Sequence, residues 1–209
     1  MTERKQSSLR GRQRAERELL ILAEAERILH VEGYDGLVME HLAARVGVSK
    51  GTLYQHFAKK EDLVGAIMVR AVSQVGEQLM LLVADTDRPA AERLSDALSL
   101  ASNERSRGLM ATLTAPQKQT LAVALGHYPG LQDTFAHVFE GLCTLISQGQ
   151  ASGAFDPTIP APFAAVFLMS LARAQDGPVQ AVLTTLSVEE FVALGSRLFL
   201  NGLCVRPAP

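Results

Sequence analysis

Residues 39–63 read MEHLAARVGVSKGTLYQHFAKKEDL, and this stretch decides the fold. Met39, Leu42, Ala43 and Val46 stand at i, i+3, i+4 and i+7, so a helix here has one apolar face. Gly47 follows, where a left-handed backbone costs a glycine little, and Val48 is the apolar residue that packs the turn. Ser49 is suited to cap a second helix, its hydroxyl accepting from backbone N–H groups one turn on. Leu53 and Phe57, four apart, give that second helix its buried stripe. Lys50, Gly51, Thr52, Tyr54, Gln55 and His56 are left outside: donors, plus one glycine that permits close approach. A short donor-faced helix held by a helix–turn–helix is shaped for the major groove, with its N-terminal residues at the base edges.

Toward the N-terminus, Ile21, Leu22, Ala25, Ile28 and Leu29 form the stripe of a helix from about Arg12 to Glu32, which Gly33 stops. Toward the C-terminus a long helix begins near Lys60, with apolar positions from Leu63 to Leu82. Glu61 and Asp62 suit the positive end of its macrodipole, and Lys60 stands where a lysine and free N–H groups together could hold a phosphate. The expected division is a DNA-binding head at 1–62 with a basic N-terminal arm, and a body at 63–209. Breaks are expected at Asp85–Pro89, Pro116, Pro129-Gly130, the Gly149 to Gly153 region and Asp156 to Pro162. Two last helices are expected at 161–175 and 188–203. No period-2 run enriched in β-branched residues stands anywhere, so the chain is predicted to be all-α, with a three-helix head joined by a long helix to a helical body.

The 209 residues are 47% hydrophobic and 20% charged, enough apolar mass for a sizeable core. A net charge of −2 decides nothing about nucleic acid, but its distribution does. Residues 1–70 hold 12 of the 20 Lys and Arg against 10 of the 22 Asp and Glu, and are net positive while the remainder is net negative. Within the first 17, Arg4, Lys5, Arg10, Arg12, Arg14 and Arg17 face only Glu3 and Glu16: either a solvated tail or an arm that touches phosphates. The charged N-terminus has no apolar h-region of a signal peptide. No 18-residue uncharged apolar run exists, so no membrane span and a cytoplasmic location are expected. Cys143 and Cys204 form no C-x-x-C and read as buried thiols, with a redox sensor as the alternative.

The head resembles the TetR family of bacterial transcriptional regulators. GVSKGTLYQHFAKKEDL at 47–63 looks like that family's recognition segment, GYDG at 33–36 fits the same pattern, and the resemblance covers roughly residues 12–70. Two positions depart from it. Members usually carry Thr or Ser before the second helix, where Leu37 and Val38 stand here, and a small polar cap on the fourth, where Lys59 stands. These departures shift phosphate binding toward lysines and the arm.

Other chemistry is weaker. Gly47-Val48-Ser49-Lys50-Gly51 matches the G-x-S-x-G nucleophile elbow, but that motif needs a strand before it. His30, His41, His56, His127 and His137 are nowhere three or four apart, so no helix offers a two-histidine metal site. No nucleotide cradle follows a strand. No cofactor, metal or catalytic residue is expected.

In the body, 161–175 and 188–203 are apolar on more than one face, which implies a partner surface. Phe163, Phe167, Leu171, Phe191, Leu194, Leu198 and Phe199 are the candidates for an isologous dimer interface. In the resembling family the last two long helices pair with their symmetry mates. Within one subunit, Leu109, Met110, Leu113, Leu121, Leu125, Phe135, Phe139, Phe163 and Phe167 are candidate walls of a ligand pocket. Asn103, Gln119, His127 and Gln175 are its candidate polar anchors. The same residues also suit a plain core.

The expected function is that of a homodimeric, ligand-responsive regulator, a repressor released from a palindromic double-stranded operator by a small apolar effector. Ser49, Lys50, Gly51, Thr52 and Gln55 are expected at bases or flanking phosphates, with Tyr54, His56 and Lys60 on the backbone. The alternative is a small-molecule-binding helical protein or enzyme whose head no longer reads a specific operator.

Overall fold

Helix α1 (Thr2–Gly36) begins earlier than the sequence pattern suggests and bends at Gly33, whose φ of 72° and ψ of −175° are non-helical. The expected arm before Arg12 is therefore a continuation of the helix. Glu, Arg, Lys, Gln and Leu dominate residues 3–20, no proline stands there, and such residues favour helix even without a buried face. The computed structural model describes residues 2–101, 115–174 and 188–204. Its further helices are α2 (Met39–Val46), α3 (Lys50–His56), α4 (Lys60–Ala84), α5 (Ala90–Ala101), α6 (Ala115–Gly126), α7 (Leu131–Ala151), α8 (Ala161–Ala174) and α9 (Val188–Leu203). The fold is all-α; among the described residues the only β pairing is an isolated antiparallel bridge between Phe155 and Cys204.

The chain forms two compact units, residues 1–69 with 108–131, and residues 70–107 with 132–209. This differs from a division into 1–62 and 63–209: α6 and the turn after it group with the head. Tyr128 supplies a physical reason. Its ring lies so close to Gly65 that a Cβ there would overlap it, and Gln117 Nε2 donates to Asp35 Oδ1 at 2.7 Å. Pro116, expected to break a segment, stands instead in the first turn of α6, where its missing N–H costs nothing.

In the first unit, Ile21, Ala25, Ile28, Leu42, Leu53, Phe57, Leu63, Val64 and Ile67 are buried, the positions their helical spacing assigns to the interior. Arg45 of α2 reaches back to Glu32 at 2.8 Å and Glu24 at 3.6 Å of α1. Val38 occupies the N-cap of α2 and makes no side-chain cap bond, as the departure at this position implies.

In the second unit the core gathers Leu79, Leu94, Leu98, Leu142, Leu145, Ile146, Phe155, Ala164, Ala165, Leu168 and Leu203. Two close approaches set its packing. Leu79 lies against Gly141, and the Phe155 ring covers Gly149, where it leaves no room for a Cβ. Asp156 N–H donates to Leu203 O at 2.8 Å, tying the loop before α8 to the end of α9. Arg93 is 4% exposed. Its Nη1 donates to Leu82 O, Val83 O and Gln148 Oε1 at 3.1, 3.4 and 2.7 Å, satisfying carbonyls that the end of α4 leaves without helical partners.

By length and composition alone α4 could cross a membrane. Its first half nonetheless buries Leu63, Val64 and Ile67 within the head, and Arg70 and Glu77 interrupt its apolar run. Cys143 and Cys204 are free and half-buried. Burial, then the Glu140 charge, pushes the Cys143 thiol upward, away from the thiolate a redox sensor needs.

Candidate nucleic-acid interface

The turn between α2 and α3 is built by Gly47, which closes α2 in the left-handed region at φ 78°, ψ 30°. Ser49 then opens α3 from an extended backbone. Its Oγ accepts from Thr52 N–H at 3.0 Å and lies 2.8 Å from Thr52 Oγ1. This hydroxyl is a helix cap, and a helix precedes it where the G-x-S-x-G nucleophile elbow requires a strand.

Leu53 is fully buried and Phe57 nearly so, which fixes the rotation of α3. Ser49, Lys50, Gly51, Tyr54 and Gln55 are exposed, and Thr52 is half-buried. At Gly51 the nearest atom to an added Cβ is Ser49 Oγ, 3.9 Å away. Nothing among the described residues demands a glycine there. Lys50 is held 2.5 Å from Glu40 Oε1 of α2, its ammonium 5.8 Å from the centroid of the Tyr54 ring. The Glu40 carboxylate raises the Lys50 pKa, and the lysine in turn lowers that of Glu40. Both groups are open to water, so an anion can take the lysine at little cost.

Two expected backbone contacts are placed differently. The His56 side chain is only 5% exposed, with Nδ1 buried 3.5 Å from Glu18 Oε2 and outside hydrogen-bond geometry. It packs inward because α3 ends at this residue and its last turn meets α1. Lys60 also turns inward: its Nζ donates to the Tyr34 carbonyl and stands 3.7 Å from the Tyr34 ring centroid. The Tyr34 carbonyl at the end of α1 already accepts from Leu37 N–H at 3.2 Å, and Lys60 supplies its second donor. Burial lowers the Lys60 pKa against the opposing pull of Asp35 and Glu61. Tyr34 Oη donates to Glu61 Oε1 at 3.3 Å, and burial, then the Glu61 and Asp35 charges, pushes its phenol to about 12. Glu40 and Tyr34 were not legible as parts of this surface, since neither shares a helical repeat with the residues it contacts.

Of the candidate pocket set, Asn103, Leu109, Met110, Leu113 and Gln175 lie outside the described residues. Leu121 and Leu125 are buried in the first unit, where His127 and Gln119 are exposed. Phe135 and Phe139 are half-buried in the second unit. Phe163 and Phe167, assigned to both the pocket and the interface, are 65% and 52% exposed, which sets them apart from cavity walls. The reason is register: Ala161, Ala164, Ala165 and Leu168 take the buried stripe of α8, leaving positions 163, 166 and 167 outside. Val166, exposed and not singled out in the sequence, joins them, as do Leu194 and Leu198 of α9. Phe199 is half-buried and stacks on Phe167, centroids 5.8 Å apart. The side chains of Leu171 and Phe191 lie outside the described ones.

Comparison with known proteins agrees with this geometry. The family model of the bacterial regulatory proteins of the tetR family matches residues 21–67. The HTH-type transcriptional regulator EthR of Mycobacterium tuberculosis is 38% identical over 92 residues, covering 40% of this chain and 43% of that protein. The HTH-type transcriptional activator FasR of Mycolicibacterium smegmatis is 39% identical over 62 residues, covering 30% of this chain and 28% of that protein. The matches thus span less than half the length of these curated relatives. Across almost the whole chain the fold is that of a TetR/AcrR-family transcriptional regulator from Thermobifida fusca, with a TM-score of 0.65 at 22% identity over 90% of this chain and 98% of that one. The head that contains α2 and α3 is thus similar, over residues 21–67, to the bacterial regulatory proteins of the tetR family.

Proposed function

We propose that this protein is a homodimeric, ligand-responsive regulator that reads a palindromic double-stranded DNA operator through α3, acting in the cytoplasm as a repressor. One observation carries the reading: in the seven residues of α3, Leu53 is the anchor in the core while Lys50, Gly51, Tyr54 and Gln55 turn outward. Ser49, Lys50, Gly51, Thr52 and Gln55 are its base and phosphate contacts, with Tyr54 on the backbone. The inward turn of His56 and Lys60 assigns them to holding the head together instead. A glycine that no neighbouring protein atom requires, in a helix where glycine costs about 0.5–1 kcal/mol, suits a site where another backbone must come close.

One head reads too few base pairs for a useful specificity ratio. A second copy related by a two-fold axis supplies the other half-site, about 34–36 Å away or a multiple of that. Phe163, Val166, Phe167, Leu194 and Leu198 form the apolar face on which that copy docks. The effector binds in the helical body, and by linkage lowers operator affinity by the factor by which it prefers the released state.

The test is to sequence the DNA that the purified full-length protein retains from fragmented bacterial genomic DNA. A recurring inverted repeat is the expected result, abolished by Lys50→Ala with Gln55→Ala. Retention without a shared sequence would favour the alternative, a ligand-binding relative whose head no longer reads an operator. A position-dependent rise in transcription on binding would make the protein an activator, the word attached to its relative FasR.

A further inference from the structure

Helix α1 changes character along a single stripe. Ile21, Ala25 and Ile28 are no more than 1% exposed and face the core of the first unit. Followed toward the N-terminus at the same spacing of three and four, that stripe passes through positions 17, 14 and 10, all of them arginine. Residues 11–17 are exposed, Arg14 and Arg17 among them, and a Cβ added at Gly11 would meet nothing within 4 Å. Glu18, half-buried, marks the crossing from one character to the other. Its Oε2 lies 3.5 Å from Nδ1 of His56, the last residue of α3. The arginines therefore begin within a turn of the place where α1 meets α3, on the side of α1 that faces the core.

These arginines are also unclaimed. In the first unit Arg27, Arg45, Lys50, Lys59 and Lys60 each have a carboxylate or a carbonyl within reach. Among the described residues no ion pair or hydrogen bond holds Arg14 or Arg17. No acid stands three or four positions from Arg17, and Glu18, four after Arg14, is turned to His56. Like charges at these spacings repel one another along a helix. A guanidinium cannot escape by losing its proton. A polyanion laid along the stripe removes the repulsion. Arg10 to Arg17 rise by about 10 Å, and duplex DNA carries one charge per about 1.7 Å of its axis, so several phosphates fall within the span of the stripe.

We propose that Arg10, Arg14 and Arg17 form a ridge that grips the phosphates of double-stranded DNA beside the bases that α3 reads. This rests on the DNA-reading function given above and adds to it a sequence-independent share of the affinity, supplied by the helical extension of α1. Arg12 stands about 200° around the helix from Arg10 and from Arg14 and takes no part.

The test uses the full-length protein and a mixed-sequence DNA duplex of about forty base pairs, titrated by anisotropy between about 50 and 200 mM salt. The slope of log affinity against log salt should become shallower by about 0.9 in each of Arg10→Gln, Arg14→Gln and Arg17→Gln, and by about 2.7 in the three together. Arg12→Gln should leave the slope unchanged. Arg14→Lys with Arg17→Lys should also keep it, because a phosphate accepts either cation. The melting temperature of the triple variant should match that of the wild type, since Arg14 and Arg17 are exposed and support nothing. An unchanged slope in the triple variant overturns the proposal. So does an equal loss in Arg12→Gln, which would make the extension a loose charged segment without a binding face. A fall of several degrees in the melting temperature of the triple variant would make the arginines structural and overturns it too. Arginine-dependent binding to phosphatidylglycerol vesicles, beside an unchanged DNA slope, would assign the ridge to a lipid surface instead. Failure of the operator reading shows separately: the genomic DNA retained by the wild type would share no sequence, while the slopes on mixed-sequence duplex would still decide about the ridge.

Discussion

The outward face of α3 and the outward face of α8 and α9 are both exposed, and they are made of opposite materials. On α3 the open positions carry Lys50, Gly51, Tyr54 and Gln55 around a buried leucine. On α8 and α9 they carry Phe163, Val166, Phe167, Leu194 and Leu198 around a full core stripe. Water tolerates the first face indefinitely. The second leaves a set of large apolar side chains unburied, which a chain removes from water by association. A surface of donors suits a polar, anionic partner; a surface of phenylalanine and leucine suits the second copy proposed above.

The sharpest way to break this contrast is Leu198→Glu. Leu198 is 74% exposed within one chain, so the charge harms nothing in the isolated subunit. Buried in a two-fold interface it would lack a partner and cost about 3–5 kcal/mol, roughly a hundredfold or more in association. Analytical ultracentrifugation should show a monomer with unchanged helicity, and operator affinity should collapse although α3 is untouched. A dimer that survives this substitution would return the α8–α9 face to mere surface.

Next in size is the pair Leu53→Ala and Tyr54→Ala. Leu53 is fully buried, and its truncation should cost about 2–5 kcal/mol in thermal or denaturant unfolding. Tyr54 is 38% exposed, and its truncation should stay within about 0.5 kcal/mol of the wild type yet weaken DNA binding in an anisotropy titration. If the two residues exchange these phenotypes, the rotation of α3 is different from the one described.

A smaller effect sharpens the contrast further. Gly51→Ala meets no described protein atom closer than 3.9 Å and replaces glycine in a helix, so the head should be stabilised by up to about 1 kcal/mol. Under the proposed function operator affinity should nevertheless fall about tenfold or more, as a methyl group enters the space a DNA backbone would occupy. A stabilised variant with undiminished affinity would show that close approach at Gly51 is not needed.

The smallest effect lies in the hidden support of the head. The Tyr34 phenol is raised from 10.0 to about 12 in the folded state, by burial first and then by Glu61 and Asp35. A raised folded-state pKa gives a contribution that is fully present below about pH 10 and is lost as pH rises through about 12. The stability difference between wild type and Tyr34→Phe should therefore shrink across that alkaline window. In an ultraviolet phenolate titration the substitution should remove the step near 12. A Tyr34 that ionises at the ordinary value would mean that its burial and its contact with Glu61 are not kept in solution.

Helix α3 and the turn before it were legible in the sequence almost residue by residue. A turn that needs Gly47, a cap that needs Ser49 and a stripe of Leu53 and Phe57 are local requirements, each satisfied within a few positions of chain. Helical periodicity likewise placed α8 and α9 within about a residue of their ends, because caps and apolar spacing are local too. What periodicity could not assign was the fate of positions at the border of a stripe. His56 and Lys60 look like free donors in a string of letters. They turn inward because Glu18, far from His56 in sequence, and the Tyr34 carbonyl, far from Lys60, stand beside them once α1 is in place.

The sequence by itself determined the all-α class, the turn at Gly47, the cap at Ser49 and the buried side of α3, since each rests on contacts between residues one helical turn apart. Tertiary structure alone decided which donors remained free. It turned His56 and Lys60 inward, held Lys50 on Glu40, grouped α6 with the head through Tyr128 and Gly65, and gave Arg93 Nη1 three acceptors while leaving Arg93 Nε and Arg70 Nη1 without one among the described residues. The physical reason is range. Helical periodicity and capping are set within about four residues of chain, whereas the partner of a buried polar group is chosen by whichever distant segment the fold brings beside it.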